Sequence, residues 1–497
     1  MFRFLKNKPK QSDFTPVYRH FQQNIDEVKK RFSYPVNSDF QCRMLSLDGG
    51  KKKAALFYLA SIVNDSVIQQ NVIKPLLDKN RSEDDIPSRV TVDKVSVLDD
   101  FSQITDDILI GNAVLFTDSD KKSYSFGTAE FQHRKIDKPE NENAIRGPKE
   151  AFTESSIVNL SLLRKRLPNE NLIAETIPVG SRTKSDVTVL YIKDLANNDV
   201  LETVKDRITS IDADSVRTVE MLEQYIEDRP YSIAPTVLYT ERPDRAAAFL
   251  EDGYIVLAMN NSSACLIVPV TFWSFVHSPE DHYLRFLFGN FSRFIRVGAF
   301  FITLFISALY IAITTFHSEM IPPDLLLAIA SAREKVPFPT VFEVIIMEFA
   351  FELIREAGLR LPATLGPTIG IFGALVLGQA AVQANLISPI IVIVAALSGL
   401  SSFAMTDVSF NFLLRLSRFI FILSAALYGM LGLSIAFLLW NMYIVSIKSF
   451  GVPFLAPLTP YYVSSKDTVF RNILQKEKFR PGYLKVRDVK KKGPMRE

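Results

Sequence analysis

Between Leu361 and Thr406 the chain runs for forty-six residues without one Asp, Glu, Lys or Arg. Inside a bilayer the backbone must satisfy its own polar groups, which favours helices. About 20 apolar residues cross the hydrocarbon core, so the run holds two spans and a tight turn. Asn385, Ser388 and Pro389 lie where the chain would reverse. Spans are therefore predicted over 366–384 and 387–405, as a transmembrane hairpin.

The first arm carries a second pattern. Gly366, Gly370, Ala374 and Gly378 recur every four residues, so on a helix they form a stripe with almost no side chain. Such stripes let another backbone come close, a main source of helix association in lipid. Gln379 and Gln383 extend the polar character by a turn, and amides facing lipid are costly. This helix therefore wants protein or water on one side. Two readings stand: ordinary small-residue packing inside one subunit, or the border of a pore in an oligomer. In the second, Ile371, Leu375, Val376 and Val382 could form a hydrophobic constriction that dewets when closed.

Hydropathy divides the 497 residues into a polar front and an apolar back. The net charge of +3 averages the two halves and says little about partners. No basic block with interleaved aromatics suggests nucleic acid. Val297 to Phe316, twenty uncharged residues preceded by Arg285, Arg293 and Arg296, reads as the first span, entered from the cytosol. Phe419 to Ile447 is uncharged for twenty-nine residues and supplies a tilted last span, placed at about 419–440. The segment from Ser446 to Glu497 holds twelve Lys or Arg against four Asp or Glu, so 448–497 reads as a basic cytosolic tail.

The stretch from Thr340 to Leu361 is apolar yet carries Glu343, Glu348, Glu352, Arg355, Glu356 and Arg360. Glu348, Glu352 and Glu356 share a helix face, with Arg355 near Glu352. Such a face avoids lipid. The segment over 340–360 is expected to lie at the interface or re-enter, because four full spans already return the chain to its starting side. Its carboxylates either concentrate cations at a pore mouth or pair with Arg355, Arg360 or partner chains.

The front half reads as α/β. Residues 1–40 form a flexible or peripheral lead-in that includes the helical-looking FQQNIDEVKKRF. A first subdomain over 41–132 contains the strand CRMLSLDG, the hairpin NAVLFTDSDKKSYSFGT, and helical spacing from Ala55 to Val72 and around Ile104 to Ile110. A charged linker with Pro139, Gly147 and Pro148 occupies 133–150. The second subdomain, 151–290, offers a helix in NLSLLRKRL and a strand in SDVTVLYIKDL with Val187, Val189 and Tyr191 buried. It continues with a helix capped by Asn198 or Asp199 and two strands around NNSS. The whole is thus a cytosolic α/β region of two subdomains followed by an all-α polytopic membrane domain over 291–447. Cys42 and Cys265 make no disulfide framework, and the N-terminus shows no signal-peptide h-region, so the front is expected in a reducing cytosol.

Signals for catalysis are missing. His20, His133, His277, His282 and His317 lack metal-ligand spacing, and Gly49, Gly50 and Lys51 lack the rest of a phosphate loop. No G-x-S-x-G elbow occurs. The expectation is a protein that is not an enzyme, with no cofactor and no metal site.

Longer stretches carry a resemblance. RGPKEAFTES (Arg146 to Ser155), YTERPDRAAAFLEDGYIVLA (Tyr239 to Ala258) and PVTFWSFVHSPEDHYLRF (Pro269 to Phe286) resemble the A subunits of spore germinant receptors, the GerA family. So, most strongly, do REKVPFPTVFEVIIMEFAFELIREAGLRLP (Arg333 to Pro362) and IGIFGALVLGQAAVQANLISP (Ile369 to Pro389). Residues 1–130 match in general layout only. The SpoVAF paralogues share the architecture, but REAGLRLP and GQAAVQANLISP look more like a nutrient receptor subunit. The resemblance implies a complex with a transporter-like B subunit and a lipoprotein C subunit in the inner spore membrane, responding to small nutrients. It also implies an oligomeric ligand-gated channel for monovalent cations. A solute carrier, which would show inverted repeats, and a membrane scaffold remain the alternatives.

Overall fold

The computed structural model describes residues 15–50, 52–78, 85–118, 120, 122–131, 139, 142, 146–376 apart from 361–375, residues 378–462, 464, and 467–491. The first unit contains helix α1 (Phe21–Arg31), strands β1 (Phe40–Leu47), β2 (Lys52–Leu59) and β3 (Val95–Leu98), helix α2 (Phe101–Leu109), and strands β4 (Ala113–Thr117) and β5 (Ser123–Phe126). Its sheet runs β1-β2-β4-β5-β3, with every neighbour antiparallel. Ala55 and Phe57 meet Ile25, Ile104 and Ile108 on one face, while Ala54 and Leu56 meet Ile68 and Val72 on the other.

That double burial explains a difference from expectation. The residues from Ala55 onward, expected to be helical, begin inside β2, and after a 3-10 turn at Ala60–Ile62 the α-helix starts only at Asp65. With both faces covered, the strand loses its alternation and its periodicity no longer separates it from a helix. The lead-in likewise differs: α1 buries Ile25 and Val28 in the first core. It is part of that unit.

The second unit contains α3 (Ser156–Arg166), β6 (Leu172–Val179), β7 (Ser185–Ile192), α4 (Asn198–Thr209), α5 (Val219–Ile226), β8 (Leu238–Thr240), α6 (Pro243–Glu251), β9 (Ile255–Met259) and β10 (Cys265–Val268). Its order, β6-β7-β9-β10-β8, is again wholly antiparallel and repeats the first sheet strand for strand. The match is metric as well. Adding 142 to the start of α2, β4 and β5 (101, 113, 123) gives the start of α6, β9 and β10 (243, 255, 265). Gly111 and Gly253, also 142 apart, both follow the helix with φ of 94° and 92°. The cap of α4 is Asn197, whose side chain accepts from the amide of Asp199 at 3.0 Å, one residue earlier than expected.

The two units meet at a buried ion pair. Asp39 accepts from the Ser61 amide and hydroxyl at 2.9 and 3.0 Å and from Arg164 Nε at 3.0 Å. Ser38 donates its amide to the Ala174 carbonyl at 2.8 Å. Their apolar cores stay separate.

The second unit instead shares one core with the helical layer. Leu190, Val256 and Ile267 continue through Val270 and Phe275 to Phe300, Phe410 and Phe454 without a break. That layer contains α7 (Phe286–Phe316), α8 (Thr340–Arg360), α9 (Pro389–Ser402) and α10 (Val408–Ser446), with a shorter helix Pro323–Arg333 between the first two. Among the described residues, α7 and α10 are long and apolar enough to cross a membrane.

Two elements depart from the expected arrangement. α10, expected as one span, reverses at Gly429, where φ is 59° and ψ is −135°. Its arms fold back together: Trp440 Nε1 donates to Ser417 Oγ at 3.0 Å, and Phe305 lies against both Phe421 and Phe437. At about 1.5 Å per residue the arms are roughly 31 and 25 Å long. The tip touches Phe316 at the end of α7. α8, expected at the interface, is helical for 21 residues and runs within the layer, from Glu343 beside Ser388 to Arg355 beside Ser402. Its charges are answered by other helices, which removes the reason to keep it at the surface.

The basic tail is folded. A hairpin of Lys448–Ser449 with Val452–Pro453 docks on the second unit, where Ser449 Oγ donates to the Thr236 carbonyl and accepts from the Val270 amide. The amide of Arg487 donates to the Leu195 carbonyl. The expected span over 366–384 lies outside the described residues except for 376 and 378–384.

Candidate functional site in the helical layer

α8 is helical because its residues from Thr340 onward are mostly strong helix formers, free of Pro. That places Glu348 and Glu352 one turn apart on a single face. The face points inward. Glu348 is fully buried, accepting from Ser307 of α7 and pairing with Arg418 Nη1 of α10 at 2.9 Å. Arg418 also donates to Ser398 Oγ of α9 at 2.8 Å and to Glu352 Oε1 at 2.7 Å. Arg415 completes the second carboxylate. Four helices thus converge on two carboxylates and two guanidinium groups. Isolated charges at this depth would be prohibitive, whereas paired and hydrogen-bonded ones are tolerated.

The remaining α8 residues divide. Glu343, also fully buried, accepts from the Ser388 amide at 2.8 Å and faces Arg333 Nε at 3.4 Å. It therefore fixes the start of α9. Glu356 is exposed. Arg355 donates to Ser402 Oγ at 2.6 Å and the Gly399 carbonyl at 3.2 Å, and stacks over Phe403.

Of the stripe, Gly366, Gly370, Ile371, Ala374 and Leu375 lie outside the described residues. Gly378 is buried, and a Cβ there would meet Val392 at 3.4 Å, so the close approach is to α9 of the same chain. Val376, Gln379 and Gln383 are exposed, and Val382 is half-buried. Sequence reasoning missed Arg415 and Arg418, which sit three residues apart on α10 and so share a face. The findable signal was a basic i, i+3 pair entering an apolar run, matched to an acidic i, i+4 pair in another. Among the described residues no group of His, Cys, Asp and Glu could hold a metal ion.

At the base of the layer, Arg293 and Arg296 of α7 are buried against Asp281, at 3.0 and 2.8 Å. Arg293 also binds Asp467 of the tail. These arginines, expected as charges flanking a span, clamp the entry of α7 to the second unit.

A doubled antiparallel α/β front whose second copy is welded to apolar helices carrying a buried charge cluster fits a protein with a helical membrane domain. Which one is settled by comparison. The family description "Bacillus/Clostridium GerA spore germination protein" matches residues 26–483, and the chain belongs to that family. It is similar to spore germination protein KA of Bacillus subtilis, with 36% identity over 95% of this chain and 88% of that protein. Spore germination protein B1 of the same organism is 36% identical over 90% of this chain and 94% of its own. GerLA of Bacillus cereus is 32% identical over 94% and 96%. A crystal structure of the N-terminal domain of the A subunit of the Bacillus megaterium germinant receptor GerK3 is 26% identical. It covers 52% of this chain and 98% of its own, at a TM-score of 0.40.

Proposed function

We propose that this chain is the A subunit of a nutrient germinant receptor in the inner spore membrane. In this reading it works beside a transporter-like B subunit and a lipoprotein C subunit, and several copies form a ligand-gated path for monovalent cations. The carrying observation is the outer face of the segment around 376–384. Gln379 and Gln383 stand exposed on a helix whose other neighbours are apolar. Lipid does not satisfy amides, whereas water or another copy of the chain does.

The buried cluster supports a path between copies. Glu343, Glu348 and Glu352 are committed to partners inside the chain, so among the described residues these three carboxylates form no open lane through one protomer. In a bilayer α7 would cross outward, α8 and α9 inward, and the arms of α10 outward and back, which returns the chain to the side where the tail docks on the α/β front.

Purified chain in liposomes loaded with a potassium-sensitive dye is the test. Flux is expected, and Gln379→Leu with Gln383→Leu should abolish it together with the oligomer. An oligomer without flux would instead favour a scaffold. Saturable exchange of a nutrient without net ion flux would favour a transporter.

A further inference from the structure

A cavity of about 510 Å³ lies outside the helical layer, between α6, the turns at Phe272–Val276 and Glu280–Tyr283, and the tail. That volume falls in the range of small-molecule sites. Phe249, Tyr254, Trp273 and Tyr483 line it. The hydroxyls of Tyr254 and Tyr483 bond each other at 2.7 Å and so satisfy one another. Trp273, 8% exposed, is different, since its indole Nε1 is buried with no hydrogen-bond partner among the described residues. Glu477, also lining the cavity, has a buried Oε1 in the same condition. An unanswered buried donor and an unanswered buried acceptor are each costly, and both are relieved by a molecule that supplies the complement.

Charge narrows the class. The carboxylate and guanidinium deep in the wall are committed, Asp244 to Arg242, and Arg245 to Glu142 and the Ser274 carbonyl. At the rim Asp252 pairs with Lys491 at 2.7 Å. Lys491 also acts electrostatically on Glu477 and Glu251, and Lys476 and Lys478 line the same cavity, so neither sign dominates the lining.

We propose that this cavity binds a small, net-neutral molecule carrying both a hydrogen-bond acceptor, for the Trp273 indole N–H, and a donor, for Glu477, on a compact apolar body held by Phe249 and Tyr254. The site joins the second unit to the tail beside the clamp on α7, whether or not the chain conducts ions. A bound molecule there would tie the tail to the segment that enters the helical layer.

The chain's two tryptophans, Trp273 and Trp440, make the test direct. Full-length protein carrying Trp440→Phe reports Trp273 emission alone. Cyclohexanecarboxamide, which has the required acceptor and donor, should shift it saturably in the low-millimolar range. Cyclohexylammonium, which lacks the acceptor, should not. Ala248→Phe, which places bulk at an exposed lining position, should weaken the carboxamide at least tenfold with the melting temperature unchanged. Should that variant melt lower, Phe479→Ala at the exposed mouth replaces it, with the same tenfold loss expected. Ligand-observed NMR on the unsubstituted protein gives a second readout that does not depend on Trp440→Phe. No saturation, an equal response to both probes, or equal affinity in the cavity variants would overturn the proposal.

Discussion

Glu348 shows how one side chain changes meaning between sequence and structure. On the sequence it is a carboxylate in an apolar helix, open to either a pore or a pair. In the fold it faces Arg418, and both are fully buried. Removing Glu348 leaves Arg415 and Arg418 to share the single carboxylate of Glu352, and a buried charge left without its partner typically costs about 3–5 kcal/mol. Glu348→Gln is expected to lower the melting temperature in detergent sharply. Adding Arg418→Met should recover much of that loss, since the second change removes the stranded cation. Equal destabilisation by the single and double variants would sink the pairing account. Outside the helical layer, His277 donates its Nε2–H to the Thr468 carbonyl. Burial, helped by Arg293, lowers its pKa from 6.5 to about 4, against the opposing pull of Asp467 and Asp281. The unfolded chain then takes up the proton first, so stability is full above pH ~6.5 and is lost as pH falls toward 4. His277→Gln should flatten this acid limb of a pH-dependent melting profile; an unchanged limb would assign it to other groups.

Among the elements, α10 carries the clearest structural requirement. Gly429 combines φ of 59° with ψ of −135°, and a Cβ there would sit 2.8 Å from Phe316. Backbone of this kind costs other residues about 1–3 kcal/mol before any clash. Gly429→Ala should therefore destabilise the protein by at least about 2 kcal/mol in detergent unfolding, while Gly298→Ala, with open space around it, should be near neutral. The reversal was hard to read because the chain stays apolar and uncharged through it, and one glycine in a run that already holds Gly432 gives hydropathy nothing to register. The strands around NNSS and the β4–β5 turn were legible, since polar turn residues interrupt apolar runs there. β2 was not, since burial on both faces erased its alternation. The second copy of the α/β fold escaped for another reason. Its period of 142 residues is written in element boundaries and in Gly111 and Gly253, while the side chains between them differ.

At the scale of the whole chain, the tail decides sidedness. Its hairpin is hydrogen-bonded into the second unit, and Arg229 reaches Ser446 at the end of α10. Ser464→Cys should therefore resist membrane-impermeant maleimide in intact cells and react once they are permeabilised. Ready labelling from outside would contradict an even number of crossings. The sequence reading puts the tail and the front on one side from the tail's basic excess, with four spans, and the helical layer adds to these a full-length α8 and a second arm of α10.

The shared core between the second unit and the helices has a mechanical consequence. Of the two joints in this molecule, one is filled with interlocking apolar side chains from Leu190 to Phe410, and the other is polar, resting on Asp39 with Arg164, on Asn37 and Ser38 with Ala174, and on Ser33 with Lys193. Compliance is concentrated in the second joint. A force applied to the helices reaches the sheet β6–β10 with little give, and a force applied to the first copy of the fold is spent on turning that copy about Arg164. The first copy is thus held by polar contacts alone, and the second is the stiff base of the helices.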